Sequence, residues 1–226
     1  MTRAHAPRPP RLVAIDGAAG SGKSTLARRL AGVLGLPYVN TGLMYRALAA
    51  AALREEIAPD DEAGIVALTR ALRFIVQIDP PGELEVEGYD EAELMSLDVE
   101  ATVSTVASHP RVRAFMRGEQ RGLGERHGAV MEGRDIASVV FSDAPVKLYL
   151  QARPDDRAER RATQRGEEPA GAVAAALDAR DRLDSRTNPH EPTADAVVLD
   201  TSVLDRDQTL AAALDVVREQ APEMIP

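Results

Sequence analysis

The chain of 226 residues has no cysteine, only two lysines and no long apolar run. Without cysteine it cannot form disulfides, use a thiolate nucleophile or build a cysteine-based zinc site. The apolar runs fall far short of the length that crosses a membrane, so we expect no membrane partner. A net charge of −9 and a pI near 5.0 argue against a general nucleic-acid-binding surface.

The first residues, "MTRAHAPRPPR", are basic but lack the apolar segment of a signal peptide. Their prolines predict a short frayed tail over residues 1–10. Hydrophobic residues make up 44% of the chain and charged residues 28%, as in soluble globular proteins. We therefore expect a cytoplasmic protein, with one domain that carries an insert or with two small domains.

One of the two lysines lies in a glycine-rich turn, although the chain has 25 arginines. The turn, "DGAAGSGKST", follows the apolar run "RLVAI" and fits G-x-x-x-x-G-K-[ST]. In such a phosphate-binding loop (P-loop) the glycines let backbone N–H groups face phosphates, Lys23 reaches the β- and γ-phosphates, and Ser24 ligates Mg²⁺. The predicted ATP-binding residues are Gly17, Ala18, Ala19, Gly20, Ser21, Gly22, Lys23, Ser24 and Thr25.

Strand-like and helix-like segments alternate along most of the chain, which predicts an α/β fold with a parallel sheet between helices. Residues 74–88, "FIVQIDPPGELEVEG", break the pattern and predict a β-hairpin. We expect an insert over about 74–105 and a core formed by 11–73 and 106–226. The predicted strands are 11–16, 37–40, 129–132, 146–152 and 195–202; the predicted helices are 24–35, 44–57, 61–73, 98–108, 110–127, 154–166, 170–184 and 207–221.

Several protein classes carry a P-loop. A guanine-nucleotide switch normally has an N-K-x-D motif, which this sequence lacks, and "DPPG" lies in the hairpin turn. A mechanical ATPase needs an apolar strand that ends in Asp; "AVVLD" ends in Asp200, but its position favours a last or edge strand. A kinase needs arginines outside the loop to hold a second anion and the moving phosphoryl group.

Such arginines are present in four segments of the chain. The segment "TGLMYR" is predicted as a loop that runs into a helix, and Arg46 lies where that helix starts. The segment "EGRD", at the end of a buried strand, supplies Arg134. The other two segments, "RAERRATQRG" and "ARDRLDSR", are helical. Structural alternatives stand beside these roles: a solvated helix face for the arginines of "RAERRATQRG", an i,i+4 surface pair for Arg180–Asp184 and an ion pair for Arg134–Asp135. For Thr41, in "NTGLMYR", the alternative is a helix cap.

Together these segments resemble the bacterial cytidylate kinases, members of the nucleoside monophosphate kinase family. The matching stretches occur in the family's order from about residue 11 to 217. They are "AIDGAAGSGKST", "NTGLMYRALA", "HPRVR", "GRDIASVVFSDAPVKLYL", "RAERR", "RDRLDS" and "ADAVVLDTS".

The resemblance implies a transferase that uses Mg²⁺ with ATP to phosphorylate CMP or dCMP in pyrimidine nucleotide metabolism. It implies a P-loop core, a monophosphate-binding insert, a helical lid over about 157–171, and a monomer. Catalytic roles fall on Lys23, Arg134, Arg157 and Arg161, and magnesium contacts on Ser24 and Glu132, the latter directly or through water. Implied CMP-binding residues are Thr41, Tyr45, Arg46, Ser104, Arg113, Arg134, Asp135, Arg180 and Asp184.

The sequence departs from the family's pattern at three positions. Asn40 and Glu132 stand where the family usually has Asp, and Thr187 stands where it usually has Arg. Two other functions remain open at this stage. One is a P-loop kinase for another small anion, such as a different nucleoside monophosphate or shikimate; the other is a nucleotide-binding switch without catalysis.

Overall fold

The computed structural model describes residues 11–165, Arg182 and residues 191–226. Within these residues the strands are β1 (Leu12–Gly17), β2 (Tyr38–Asn40), β3 (Phe74–Ile78), β4 (Pro81–Val86), β5 (Ala129–Gly133), β6 (Val146–Gln151) and β7 (Val197–Asp200). The α-helices are α1 (Lys23–Leu34), α2 (Thr41–Arg54), α3 (Glu62–Leu68), α4 (Glu91–Leu94), α5 (Leu97–Ser108), α6 (Pro110–His127), α7 (Pro154–Arg165) and α8 (Arg206–Gln220).

The strands form one sheet in the order β3-β4-β2-β5-β1-β6-β7. Neighbouring strands run parallel, except β3 and β4, which form the predicted hairpin. All of β1 is buried, and its side chains alternate between two apolar cores. Leu12 and Ala14 join one core with α2 and α6, while Val13 and Ile15 join the other with α1 and α8. The predicted α/β fold, with helices on both faces of the sheet, is confirmed.

The predicted strands and helices agree with the structure, with a few differences. The segment "TGLMYR" was predicted as a loop, and this is wrong. Asn40 has an extended backbone and its side chain accepts a hydrogen bond from the Gly42 amide, so it caps α2, which begins at Thr41. This also removes the alternative of Thr41 as the cap. Among the described residues three short elements were not predicted: α4, a π-helix over Ile136–Val140 and a 3₁₀-helix over Pro222–Met224.

The hairpin, predicted as part of an insert, is hydrogen-bonded to the core sheet. Strand β4 lies beside β2, with Tyr38 paired to Glu83, so the hairpin extends the main sheet. The predicted bounds of the insert and lid stay predictions. The predicted tail over 1–10, the end of the predicted lid and nearly all of the predicted helix over 170–184 lie outside the described residues.

Of the seven strands described, all except β3 run in the same direction and end at the same edge of the sheet. The P-loop follows β1, helix α2 follows β2, and the "RD" segment follows β5. Strands β6 and β7 end beside them, and β7 is an edge strand, as predicted for "AVVLD". In open α/β sheets this carboxyl edge is where ligands bind.

Candidate active site

The P-loop closes tightly over the end of the sheet. A Cβ atom at Gly17 would lie 2.2 Å from the Leu150 carbonyl oxygen on the neighbouring strand, so only glycine fits there. Gly22 caps α1 with φ of 92°, in the left-handed region that favours glycine. The loop therefore leads directly into the positive N-terminal end of α1, which is a ready site for phosphate.

Two cationic side chains hold carbonyl groups of the loop. Lys23 Nζ donates a hydrogen bond to the Ala18 carbonyl at 2.7 Å, and Arg157 Nη1 donates one to the Ala19 carbonyl at 3.2 Å. Arg157 is buried, and its main chain lies against Gly20. The structure therefore places Arg157 behind the loop, whereas Lys23 lies at its open side among the residues that line two cavities.

The two cavities meet at the P-loop. The larger, of about 530 Å³, lies between the loop, α7 and the segment after β7. The smaller, of about 210 Å³, lies between the loop, α2, α5 and the end of β5. Both are lined by Gly20, Lys23, Ser24 and Arg161. A ligand in each cavity would therefore bring its end to the same lysine.

In the larger cavity, a hydrogen-bonded chain ties α7 to the loop. Arg160 donates to Thr201 Oγ1 at 2.9 Å and to the Thr201 carbonyl at 2.5 Å. Thr201 Oγ1 lies 3.0 Å from the Ser21 carbonyl and 3.2 Å from the Gln151 carbonyl, and shares its one proton between them. The residue after β7 thus fixes both the P-loop and α7.

The smaller cavity collects most of the predicted CMP-binding residues. Arg113 on its wall forms a largely buried ion pair, in which Arg113 Nη2 donates to Asp135 Oδ2 at 2.5 Å. Burial raises the pKa of Asp135, and Arg113 opposes that rise. Burial, with the nearby Asp135 carboxylate, raises the pKa of Tyr45 to about 12. The predicted CMP-binding residues that line this cavity are Thr41, Tyr45, Arg46, Ser104, Arg113 and Arg134.

Glu132 reaches the boundary of the two cavities through Tyr38. The Tyr38 hydroxyl donates to Glu132 Oε1 and also contacts Ser24. Burial and the Glu132 carboxylate raise the pKa of Tyr38, so its hydroxyl stays a donor. Thr41 Oγ1 donates to the Glu132 carbonyl at 2.7 Å. The hydroxyl of Ser24 and the carboxylate of Glu132, both predicted magnesium contacts, are therefore joined through one phenol.

The chain matches the family model described as cytidylate kinase over residues 13–219. A cytidylate kinase of Roseiflexus castenholzii is 39% identical over 95% of this chain and 96% of its own length. That of Chloroflexus aggregans is 41% identical over 96% and 98%, and that of Mycobacterium avium 40% over 93% and 96%. This chain belongs to the cytidylate kinase family.

Sequence reasoning missed several residues of this site. Asp16 is buried at the end of β1, and its two carboxylate oxygens accept hydrogen bonds from the amides of Ile136 and Ala137, both at 2.8 Å. It thereby joins the P-loop strand to the segment just after Arg134 and Asp135. The acid directly before the first loop glycine was the available signal. Tyr38 and Glu100 were also missed, since no quoted motif contains them. Arg160 and Thr201 lie in the matching stretches "RAERR" and "ADAVVLDTS", but they were given no site role.

Not every predicted site residue reaches a cavity wall. Asp135 lies one step behind the lining, on Arg113, and Arg157 lies behind the loop. Arg180 and Asp184 fall outside the described residues. Among the residues that the structure does describe, no helix is long and apolar enough to cross a membrane. That part of the chain also holds no group of three or more metal-ligating His, Cys, Asp or Glu side chains.

Proposed function

We propose that this protein transfers the γ-phosphoryl group of ATP to CMP or dCMP, giving ADP and CDP or dCDP, in pyrimidine nucleotide metabolism. The observation that carries the proposal is the meeting of two cavities at Lys23 and Ser24. A phosphotransferase must bring donor and acceptor phosphates together at one cation. Membership of the cytidylate kinase family identifies the acceptor.

The donor would occupy the larger cavity, with its phosphates on the P-loop and the N-terminal end of α1. The acceptor phosphate is already an oxyanion at neutral pH, so no side chain has to act as a strong base. Catalysis then rests on alignment and on stabilisation of the charge that moves between the phosphates. We assign that charge stabilisation to Lys23, Arg134 and Arg161, with Arg157 supporting the loop from behind.

The acceptor would occupy the smaller cavity. Arg46 is buried on α2 and lines this cavity, which suits the acceptor phosphate. Ser104, Arg113 and Asp135 would read the cytosine edge, and Thr41 and Tyr45 would line the site. From the family motif alone, Arg180 and Asp184 would hold the ribose hydroxyls.

Magnesium bound to ATP fits the oxygen groups at the boundary of the cavities. The Ser24 hydroxyl and the Glu132 carboxylate both contact Tyr38, and both are ligand types that Mg²⁺ accepts. Mg²⁺ usually keeps several water ligands and is bound by substrate phosphates together with one or two protein oxygens, so these two groups are enough. When bound, the ion would neutralise phosphate charge, while Tyr38 keeps Ser24 and Glu132 in place.

The test is an ADP-release assay with purified protein, Mg²⁺, ATP and one acceptor at a time. CMP and dCMP should give rapid turnover, and UMP, AMP, GMP and shikimate should give little. Preference for another acceptor would assign a different small-molecule kinase. Tight nucleotide binding without any acceptor-dependent turnover would favour a non-enzymatic switch. A cytoplasmic location and a monomeric state remain predictions.

A further inference from the structure

Glu100 on α5 brings together side chains from three parts of the chain. Its Oε2 accepts a hydrogen bond from Arg161 Nη2 of α7 at 2.9 Å. The same oxygen lies 3.9 Å from Arg46 Nη2 of α2. The Glu100 side chain is only 15% exposed, so this carboxylate is largely shielded from water.

Both arginines line the smaller cavity, and Arg161 also lines the larger one. Glu100 itself is not among the lining residues of either cavity. The two guanidinium groups therefore lie between the carboxylate and the space for ligand. Arg46 is held in addition by the Leu94 carbonyl, to which its Nη1 donates at 2.9 Å.

This arrangement solves a positioning problem. Two guanidinium groups directed at one cavity repel each other, and each belongs to a long side chain with many rotamers. A carboxylate behind them reduces the repulsion and fixes the direction of the group that it contacts most closely. That group is Arg161, which lies at the junction of the cavities. A partly buried pair of this kind is also less screened than a surface pair.

We propose that Glu100 is a positioning residue, which holds Arg161 at the junction of the two cavities for the transfer step. The inference rests on the proposed function. Because Arg161 faces both cavities, its displacement should affect the transfer more than the binding of either substrate alone. Glu100 should therefore change kcat more than either KM.

The test is a double-mutant cycle in the ATP and CMP assay, with Glu100→Gln, Glu100→Ala, Arg161→Ala and the combined variants. Glu100→Gln should lower kcat about fivefold and Glu100→Ala about tenfold, with both KM values within about twofold of wild type. In the Arg161→Ala background, neither change at Glu100 should lower kcat further. Glu93→Gln is the matched control. Glu93 lies on the neighbouring helix α4 and forms an ion pair with Arg54 at the protein surface, so this substitution should leave kcat unchanged.

Several results would overturn the inference. Equal losses of kcat with and without Arg161 would mean that Glu100 acts independently of it. Wild-type kcat in a folded Glu100→Ala protein would remove any role. A gain in kcat/KM for CMP in Glu100→Gln would mean that the carboxylate opposes the acceptor phosphate. Thermal melting checks folding, and the isosteric Gln variant decides the matter if the Ala variant does not fold. Wild-type protein that does not phosphorylate CMP would instead reject the proposed function, and this inference with it.

Discussion

The two cavities are built in different ways, although they share Lys23. One continuous motif, residues 17–25, forms the phosphate end of the larger cavity, mainly through backbone geometry: a glycine pressed against β6, a left-handed cap and a helix N-terminus. The smaller cavity has no such motif. Its walls come from β2, α2, α5, α6 and β5, and its charged side chains are held by one another.

This difference has a consequence for mutation. A backbone cradle binds any phosphate chain, and the cationic side chains around it, Lys23 and Arg161 among them, add charge without distinguishing one nucleotide from another. A wall of paired side chains can distinguish one small acceptor from another, because each polar group has a defined partner. We therefore expect changes on the donor side to alter rate or ATP affinity, and changes on the acceptor side to alter the choice of nucleotide.

The largest effect should come from Lys23, at the junction. Lys23→Met removes positive charge from the moving phosphoryl group, so kcat should fall about a hundredfold or more in a folded protein. Lys23→Arg should also be poor, because a planar fork does not replace a compact ammonium group. Steady-state kinetics with ATP and CMP measure both.

The other lysine provides the control. Lys147 is buried and donates to the Ser142 carbonyl at 2.6 Å and to Asp195 at 2.5 Å, away from both cavities. Lys147→Met should lower the melting temperature and leave kcat near wild type. Full activity in Lys23→Met protein would reject the P-loop mechanism.

Asp135 should determine the choice of cytosine over uracil. A carboxylate only accepts hydrogen bonds, so it suits the cytosine amino group and opposes the uracil carbonyl. Asp135→Asn should lower kcat/KM for CMP and shrink the CMP-to-UMP ratio by ten- to a hundredfold, or about 1.4–2.8 kcal/mol. The ratio is measured at saturating ATP. If both acceptors lose activity equally, Asp135 serves to hold Arg113, and base choice lies with Arg113 and Ser104.

A smaller effect, confined to the donor side, is expected at Thr201. Thr201→Val keeps the shape but removes the hydroxyl that contacts the Ser21 carbonyl and Arg160. We expect KM for ATP to rise about three- to tenfold, because the P-loop and Arg160 lose the hydroxyl that joins them, while KM for CMP stays unchanged. Thr201→Ser retains the hydroxyl and should behave as wild type. An equal rise in both KM values would contradict the separation of the two cavities.

The sequence predicted the donor side of the site better than the acceptor side. The P-loop was predicted residue by residue, since its chemistry depends on neighbours in the chain. Alternating apolar strands and helices predicted the sheet, but not the place of the hairpin. That place depends on a pairing between Tyr38 and Glu83, which are far apart in sequence.

On the acceptor side, the family motif supplied residues that bottom-up reasoning alone could not bring together. The motifs "HPRVR" and "EGRD" supplied Arg113 and Asp135 separately, and only the fold shows that their charged groups lie 2.5 Å apart. Glu100 carried no signal, because one acid on an amphipathic helix usually faces solvent. The start of α2 was misplaced for a local reason, since "NTG" offers two cap residues and Asn40 takes the position.

Asp16 connects the two sides, and its effect on stability should depend on pH. Its carboxylate holds the amides of Ile136 and Ala137, and burial raises its pKa to about 6 from an ordinary value of 3.8. A raised pKa means that the folded state binds the proton of Asp16 more tightly than the unfolded state does. Protonation of Asp16 therefore stabilises the fold fully below about pH 4, and this stabilisation is lost as the pH rises through 6.

Between pH 5 and 7, ionisation of Asp16 should lower the free energy of unfolding by about 1 kcal/mol in the wild-type protein. Asp16→Asn has no ionisable group there, so its stability should lack this part of the pH dependence. Urea unfolding of both proteins at pH 5, 6 and 7 measures the difference, and other groups cancel in the comparison. Identical pH dependence in the two proteins would mean that Asp16 does not titrate in this range.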